Sequence, residues 1–152
     1  NFFSWKPDSN GKMTIRVNGG RFRNVGVEAQ YGRRLTDRLK VTVGAAYMNP
    51  KQREIDKTYW EQANPKLQFT GGIHYNSPTW TAGSSLNFVT KRLKNRDNLV
   101  AWNAYVGYQF NEHSSLRIDA RNLLNRHNVI SNGDWEYWDE PFNYKVSYTY
   151  KF

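Results

Sequence analysis

The residues best suited to chemistry are gathered in one stretch, Asn132-Gly133-Asp134-Trp135-Glu136-Tyr137-Trp138-Asp139-Glu140. Trp135, Tyr137 and Trp138 supply rigid amphipathic area, apolar on the ring faces with one polar handle each. Tyr59 and Trp60 offer a second aromatic pair in another polar loop. Such rings either contact a small ligand or pack on neighbouring loops. The carboxylates Asp134, Glu136, Asp139 and Glu140 are hard oxygen donors suited to Ca²⁺. Their spacing does not match a calcium loop, which favours a solvated acidic loop. His113, Ser114 and Asp119 are the residue types of a hydrolytic triad, yet they fall in a tight turn and an adjoining strand without nucleophile-elbow glycines. No catalytic residue is expected. His74, His113 and His127 show no metal-site spacing, so neither a metal nor a cofactor is expected.

These residues are positioned by alternating segments. At the end of the chain, Tyr144, Val146, Tyr148, Tyr150 and Phe152 alternate with Lys145, Ser147, Thr149 and Lys151. A period of two puts the first set on one face of a β-strand and the second on the other. The same pattern runs through Leu39 to Asn49, Lys66 to Asn76, Trp80 to Lys91, Val100 to Phe110 and Leu116 to Arg121, and through one long segment from Met13 to Arg34 with a bulge expected at Gly19-Gly20. Asn1 to Trp5 reads as the stub of another strand. Each segment is about 10 residues, the length a tilted strand needs to cross a bilayer. Short turns at Leu35–Arg38, Ser77–Thr79 and Asn111–Ser114 alternate with longer connections at Lys6–Lys12, Pro50–Asn64, Arg92–Asn98 and His127–Pro141. That asymmetry belongs to bacterial outer-membrane barrels, with the long loops outside the cell. It places the C-terminus on the periplasmic side.

In this register one face of every strand looks at lipid. Tyr31, Tyr47, Tyr75, Trp80, Trp102, Tyr108, Phe110 and Tyr150 suit the aromatic girdles at the two interfaces. Glu28, Arg117, Asp119 and Arg121 take the other, lumenal face, where charges are expected to pair across adjacent strands or with a body inside the lumen. The bulk numbers agree. Aromatics are 16% of the 152 residues, while mean hydropathy is only −0.86. A barrel strand reconciles the two, because only alternate residues are apolar. Cysteine is absent and the net charge is +9, but the bases are scattered and no five-residue window is purely basic. Nucleic acid is therefore not the expected partner. Lysine and arginine at the ends of apolar runs suit the phosphate-rich membrane interfaces instead. Asn1 to Trp5 lacks the basic start and apolar core of an export signal, so the chain is expected to begin in mid-protein.

Three segments resemble one family. Asn18-Gly19-Gly20-Arg21 followed by Val25-Gly26-Val27-Glu28 resembles the N-x-G … G-V-E segment of TonB-dependent outer-membrane receptors. Ala120-Arg121-Asn122-Leu123-Leu124-Asn125-Arg126 resembles their N-L-F-(D/N)-K motif, with Leu124 where phenylalanine is usual. Tyr148, Tyr150 and Phe152 resemble the terminal signal by which barrels are recognised by the assembly machinery. The resemblance implies an all-β fold: about seven antiparallel transmembrane strands plus a stub, residues 1–152 forming the C-terminal part of a roughly 22-stranded barrel. The family's plug domain is expected to lie outside these residues. Further implications are TonB-dependent uptake of a ferric siderophore or similar scarce nutrient, coupling to TonB through the plug, and contact with membrane lipid and lipopolysaccharide. Trp135, Tyr137, Trp138, Tyr59 and Trp60 would then lie on the ligand-accessible side, against a siderophore, haem-like or sugar ligand. Glu28, Arg117, Asp119 and Arg121 would face the plug. A compact, roughly eight-stranded barrel with a structural or lipid-modifying role is the alternative.

Overall fold

The computed structural model describes residues 2–55, 57–63, 65–92, 96–130 and 137–152, with the strand path alone over 2–6 and 14–16. Every regular element among them is a strand: β1 (Phe2–Pro7), β2 (Met13–Arg23), β3 (Gly26–Arg34), β4 (Leu39–Met48), β5 (Lys51–Glu54), β6 (Glu61–Gln62), β7 (Leu67–Asn76), β8 (Trp80–Thr90), β9 (Leu99–Gln109), β10 (Ser114–Arg121) and β11 (Asn143–Tyr150). Seven form one antiparallel sheet in the order β11-β10-β9-β8-β7-β4-β3, and β1-β2-β5-β6 form a smaller sheet. The large sheet is open, with β3 and β11 at its edges.

The pairing register settles which residues share a face, because residues directly opposite in an antiparallel pair project the same way. Ala82 lies opposite Val106, Val106 opposite Ile118, and Ile118 opposite Val146. Phe69 pairs with Ala45 and Phe88, and Trp80 with Tyr108. The apolar rows thus run across the sheet, interrupted at Ser84. Among the described residues no side chain of these apolar rows is buried, so no second layer covers this face. Apart from Pro50 and three glycines, the buried residues among those described are polar: Arg92, Asn122 and Asn128. A soluble sandwich would show the opposite. Aromatic contacts gather at the short-turn end, with Tyr108 edge-on to Trp80 at 4.6 Å and to Phe110 at 4.9 Å. There Tyr150 also stacks edge-on with Phe152 at 5.2 Å. The indole N–H of Trp102, in mid-face, donates to Ser84 Oγ at 2.7 Å.

Three boundaries differ from the sequence-based expectation. The long segment Met13–Arg34 is divided at Asn24-Val25 into β2 and β3. Opposite the division stands buried Pro50, which has no N–H for the ladder. The hairpin keeps its register across the gap, from Arg23↔Lys51 to Gly26↔Met48, with Asn49 N–H donating to Val25 O at 2.8 Å. The expected polar loop Pro50–Asn64 in fact contains β5 and β6, which carry the ladder onward. The last strand ends at Tyr150, although Lys151 N–H still donates to His113 O at 2.9 Å. The bulge expected at Gly19-Gly20 is present as a register shift opposite Phe2 and Phe3. Gly20 has φ +148°, and a Cβ there would lie 2.1 Å from the Arg53 carbonyl oxygen, so only glycine fits.

Candidate functional sites on the concave face and at the long-loop end

The polar face carries Glu28 on β3, Lys40 on β4, His74 on β7, Tyr105 on β9, Arg117, Asp119 and Arg121 on β10 and Lys145 on β11. Register fixes this placement: Lys40↔His74, His74↔Gly83, Gly83↔Tyr105, Tyr105↔Asp119 and Asp119↔Lys145 are directly opposite. A hollow of about 410 Å³ crosses five strands there and is lined by Lys40, His74, Asn103, Tyr105, Asp119 and Arg121 among others. Gly83 lets the Tyr105 ring lie flat, since a Cβ would meet its Cε1 at 2.6 Å. The Tyr105 hydroxyl bonds His74 Nδ1, and the Arg117 guanidinium covers the ring at 3.9 Å, a cation–π arrangement. Arg117 also grips Asp119 through Nε and Nη2, the shortest bond being 2.7 Å. This pair lies along one strand rather than across two as expected, because residues i and i+2 share a face and Tyr105 props the guanidinium between them. Among the described residues Glu28 makes no ion pair. Cations outnumber carboxylates on this face, so the hollow suits an anionic or acidic neighbour.

A second set of groups closes the long-loop end. Asn122 has φ +50° and Asn125 φ +48°, a region that asparagine tolerates better than most residues. The buried Asn122 amide donates to the Arg126 and Glu140 carbonyls, both at 2.9 Å, while its Oδ1 accepts from Arg126 N–H at 3.1 Å. Asn125 Oδ1 accepts from Phe142 N–H at 3.0 Å. The Asn-Leu-Leu-Asn motif is therefore a staple joining the two ends of the last long connection. Asn128 pairs with the Val100 backbone in both directions, at 2.9 and 3.1 Å. Arg92 donates through Nη1 to Asp97 O at 3.0 Å and through Nη2 to Val129 O. Burial pushes its guanidinium below its ordinary value. None of these roles was legible, since each partner is remote in sequence or lies in irregular backbone.

Trp138 lines two hollows here. One, of about 400 Å³, includes Arg92, Arg96, Arg126 and His127; the other includes Arg121, Asn122 and Asn143. Trp138 and Tyr137 are exposed and sit on a short ladder in which Val129 bridges Trp138. Trp135, with Asp134 and Glu136, lies outside the described residues. Tyr59 and Trp60 are not brought to this cluster. Tyr59 lies beside Lys57 at 5.6 Å, and the Trp60 ring is held against Arg23 and Arg53. The remaining acidic candidates are engaged locally: Asp139 Oδ1 accepts from Glu140 N–H, and Glu140 Oε2 accepts from the Asn143 amide, both at 3.0 Å. No group of three or more His, Asp or Glu side chains clusters among the described residues. Ser114 bonds the Tyr148 hydroxyl on the apolar face, whereas Asp119 is tied to Arg117 on the polar one. His113, Ser114 and Asp119 therefore do not converge. Tyr148, Tyr150 and Phe152 are all exposed on the edge strand or just beyond it.

No family model matches the chain, and no curated protein does. Among solved structures it is similar to the copper transporter OprC, at 18% sequence identity and a TM-score of 0.70. The similarity covers 99% of this chain and 26% of that one, so the chain spans about a quarter of the transporter's length. At that identity the likeness is one of fold alone.

Proposed function

We propose that this chain forms the C-terminal wall of a TonB-dependent outer-membrane receptor that takes up a ferric siderophore or a similar scarce, metal-bearing nutrient. The observation that carries the reading is the one-sided sheet. Seven strands in continuous register expose an uncovered apolar face with aromatic contacts at one rim, and present charged and amide groups on the other. An open sheet edge in hydrocarbon leaves backbone groups unsatisfied, so β3 and β11 call for further strands. That favours a large barrel over a compact one of roughly eight strands. The ordered family motifs and the fold likeness to a copper transporter support transport rather than catalysis. In this reading the long-loop end faces the exterior and the C-terminus the periplasm. Arg92, Arg126, His127, Tyr137 and Trp138 offer cations and rings to an anionic cargo. The concave wall around Arg117, Asp119 and Arg121 faces a plug through which TonB acts, and the Tyr148–Phe152 edge is read by the assembly machinery.

The test is uptake by cells carrying the full gene, starved of iron, against a deletion strain. Labelled ferric siderophore and labelled copper are offered separately, with and without TonB. The proposal expects accumulation of one of them that disappears on loss of either the gene or TonB. Uptake indifferent to TonB, or no difference from the deletion strain for both cargoes, would refute it.

A further inference from the structure

One charged patch stands apart from both sites. Arg21 lies directly opposite Arg53, and Arg23 opposite Lys51. Like charges directly opposed in a strand pair repel, and two such pairs in succession call for an anion. Because the hairpin keeps its register past Pro50, these four cations share the face that Val25, Val27 and Tyr47 continue below them. That face is the apolar one. Val25 is 73% exposed, and Arg23 follows it at two residues, roughly 7 Å further along the strand. The patch therefore begins where the apolar surface ends. Two of its guanidinium groups are held in place, Arg23 at 4.4 Å and Arg53 at 5.3 Å from the Trp60 ring. Among the described residues the nearby carboxylates are on the opposite face: Glu54 is paired with Gly20 and Glu61 with Gln52. Both are engaged by Lys57, at 3.6 and 3.1 Å. Neither neutralises the patch.

We propose that Arg21, Arg23, Lys51 and Arg53, backed by Trp60, form a docking site for the head group of an outer-leaflet glycolipid carrying two or more phosphates. The inference rests on the membrane-barrel reading above. Phosphate oxygens accept the forked donors of arginine, and a juxtamembrane cluster of bases is drawn to anionic head groups. Four cations without an ion-pair partner among the described residues match more than one phosphate; a zwitterionic head group would leave most of that charge unmet. Trp60, amphipathic and at the interface, is suited to lie against the sugar of such a head group.

The experiment uses the full protein reconstituted in lipid nanodiscs and then exchanged into detergent, with retained lipid counted by native mass spectrometry. The probes are bisphosphorylated lipid A, its dephosphorylated form and phosphatidylglycerol. Wild type is expected to retain the bisphosphorylated lipid at least tenfold better than either of the others. The R23E/R53E double variant should lose that preference, and the milder R23Q/R53Q pair should weaken it in the same direction if charge reversal prevents folding. Equal retention of phosphorylated and dephosphorylated lipid, or retention unchanged in the inserted variants, would overturn the site and leave the barrel reading standing. Failure of the wild type to enter bilayers at all would overturn both.

Discussion

Replacing Val106 by arginine probes the lipid-facing assignment with a calculable cost. Val106 is directly opposite Ala82 on one side and Ile118 on the other, within an apolar row that extends to Val146. From Val100 to Phe110 the strand rises about 33 Å, which at a tilt of about 40° is about 25 Å of height, the depth of an apolar band. Val106 lies six residues into that span, close to its middle. Arginine at the midplane of a barrel's lipid face costs about 2–4 kcal/mol, falling to about 0–1 kcal/mol near the interfaces. With a urea m-value of about 3 kcal/mol/M, the midpoint should fall by about 1 M. Ser85→Arg is the control, since Ser85 is exposed on the concave face between Gly72 and Asn103. It should change stability by about 0.5 kcal/mol or less. The assay is reversible urea unfolding of the full protein in lipid vesicles, followed by tryptophan fluorescence. If Val106→Arg were neutral and Ser85→Arg costly, the two faces would have been exchanged and the reasoning would fail. A sheet with both faces in water predicts no cost at either position.

Three further substitutions test other parts of the account. Asn122→Ala removes three buried hydrogen bonds and puts alanine in a left-handed conformation, so it should destabilise the protein by about 2–4 kcal/mol and expose the last long connection to protease; a normal denaturation midpoint would contradict the staple. Gly83→Ala should push the Tyr105 ring aside and cost about 1–3 kcal/mol, a loss largely removed when Tyr105 is also replaced by serine; additive effects of the two changes would show that the ring does not lie on Gly83. Phe152→Ala should lower the amount of protein reaching the outer membrane more than it alters ligand affinity, and surface levels equal to wild type would refute the role of the terminal aromatic.

The apolar half of this structure was legible because a sheet with one apolar face imposes a strict period of two. Val106, Ile118 and Val146 show their face in the sequence, and the register then brings them together. The strands of the large sheet and the short turns followed from that period, although β2 and β3 read as one segment. β5 and β6 did not, because beyond the apolar rows nothing forces alternation: Lys51-Gln52-Arg53-Glu54 is polar on both faces, and backbone pairing alone makes it a strand. The concave site was legible only in part. Arg117, Asp119 and Arg121 could be assigned to the polar face, but the part played by Tyr105 depends on Gly83 one strand away. Arg92 and Asn128 offered no signal, since their partners are backbone groups at Val129 and Val100. The Asn122 motif was visible as a resemblance, and its physical role emerged with the left-handed backbone and the bonds to Arg126 and Glu140.

The most direct measurement is nitroxide accessibility in the reconstituted full protein, with single labels at Val106, Ile118 and Val146 and, for the other face, at Ser115 and Ser147. Collisions with oxygen report hydrocarbon, and collisions with a water-soluble nickel chelate report an aqueous surface. The account predicts oxygen-rich, nickel-poor labels at the first three positions and the reverse at the two serines. Nickel access at Val106, Ile118 and Val146 together with oxygen access at Ser115 and Ser147 would contradict it.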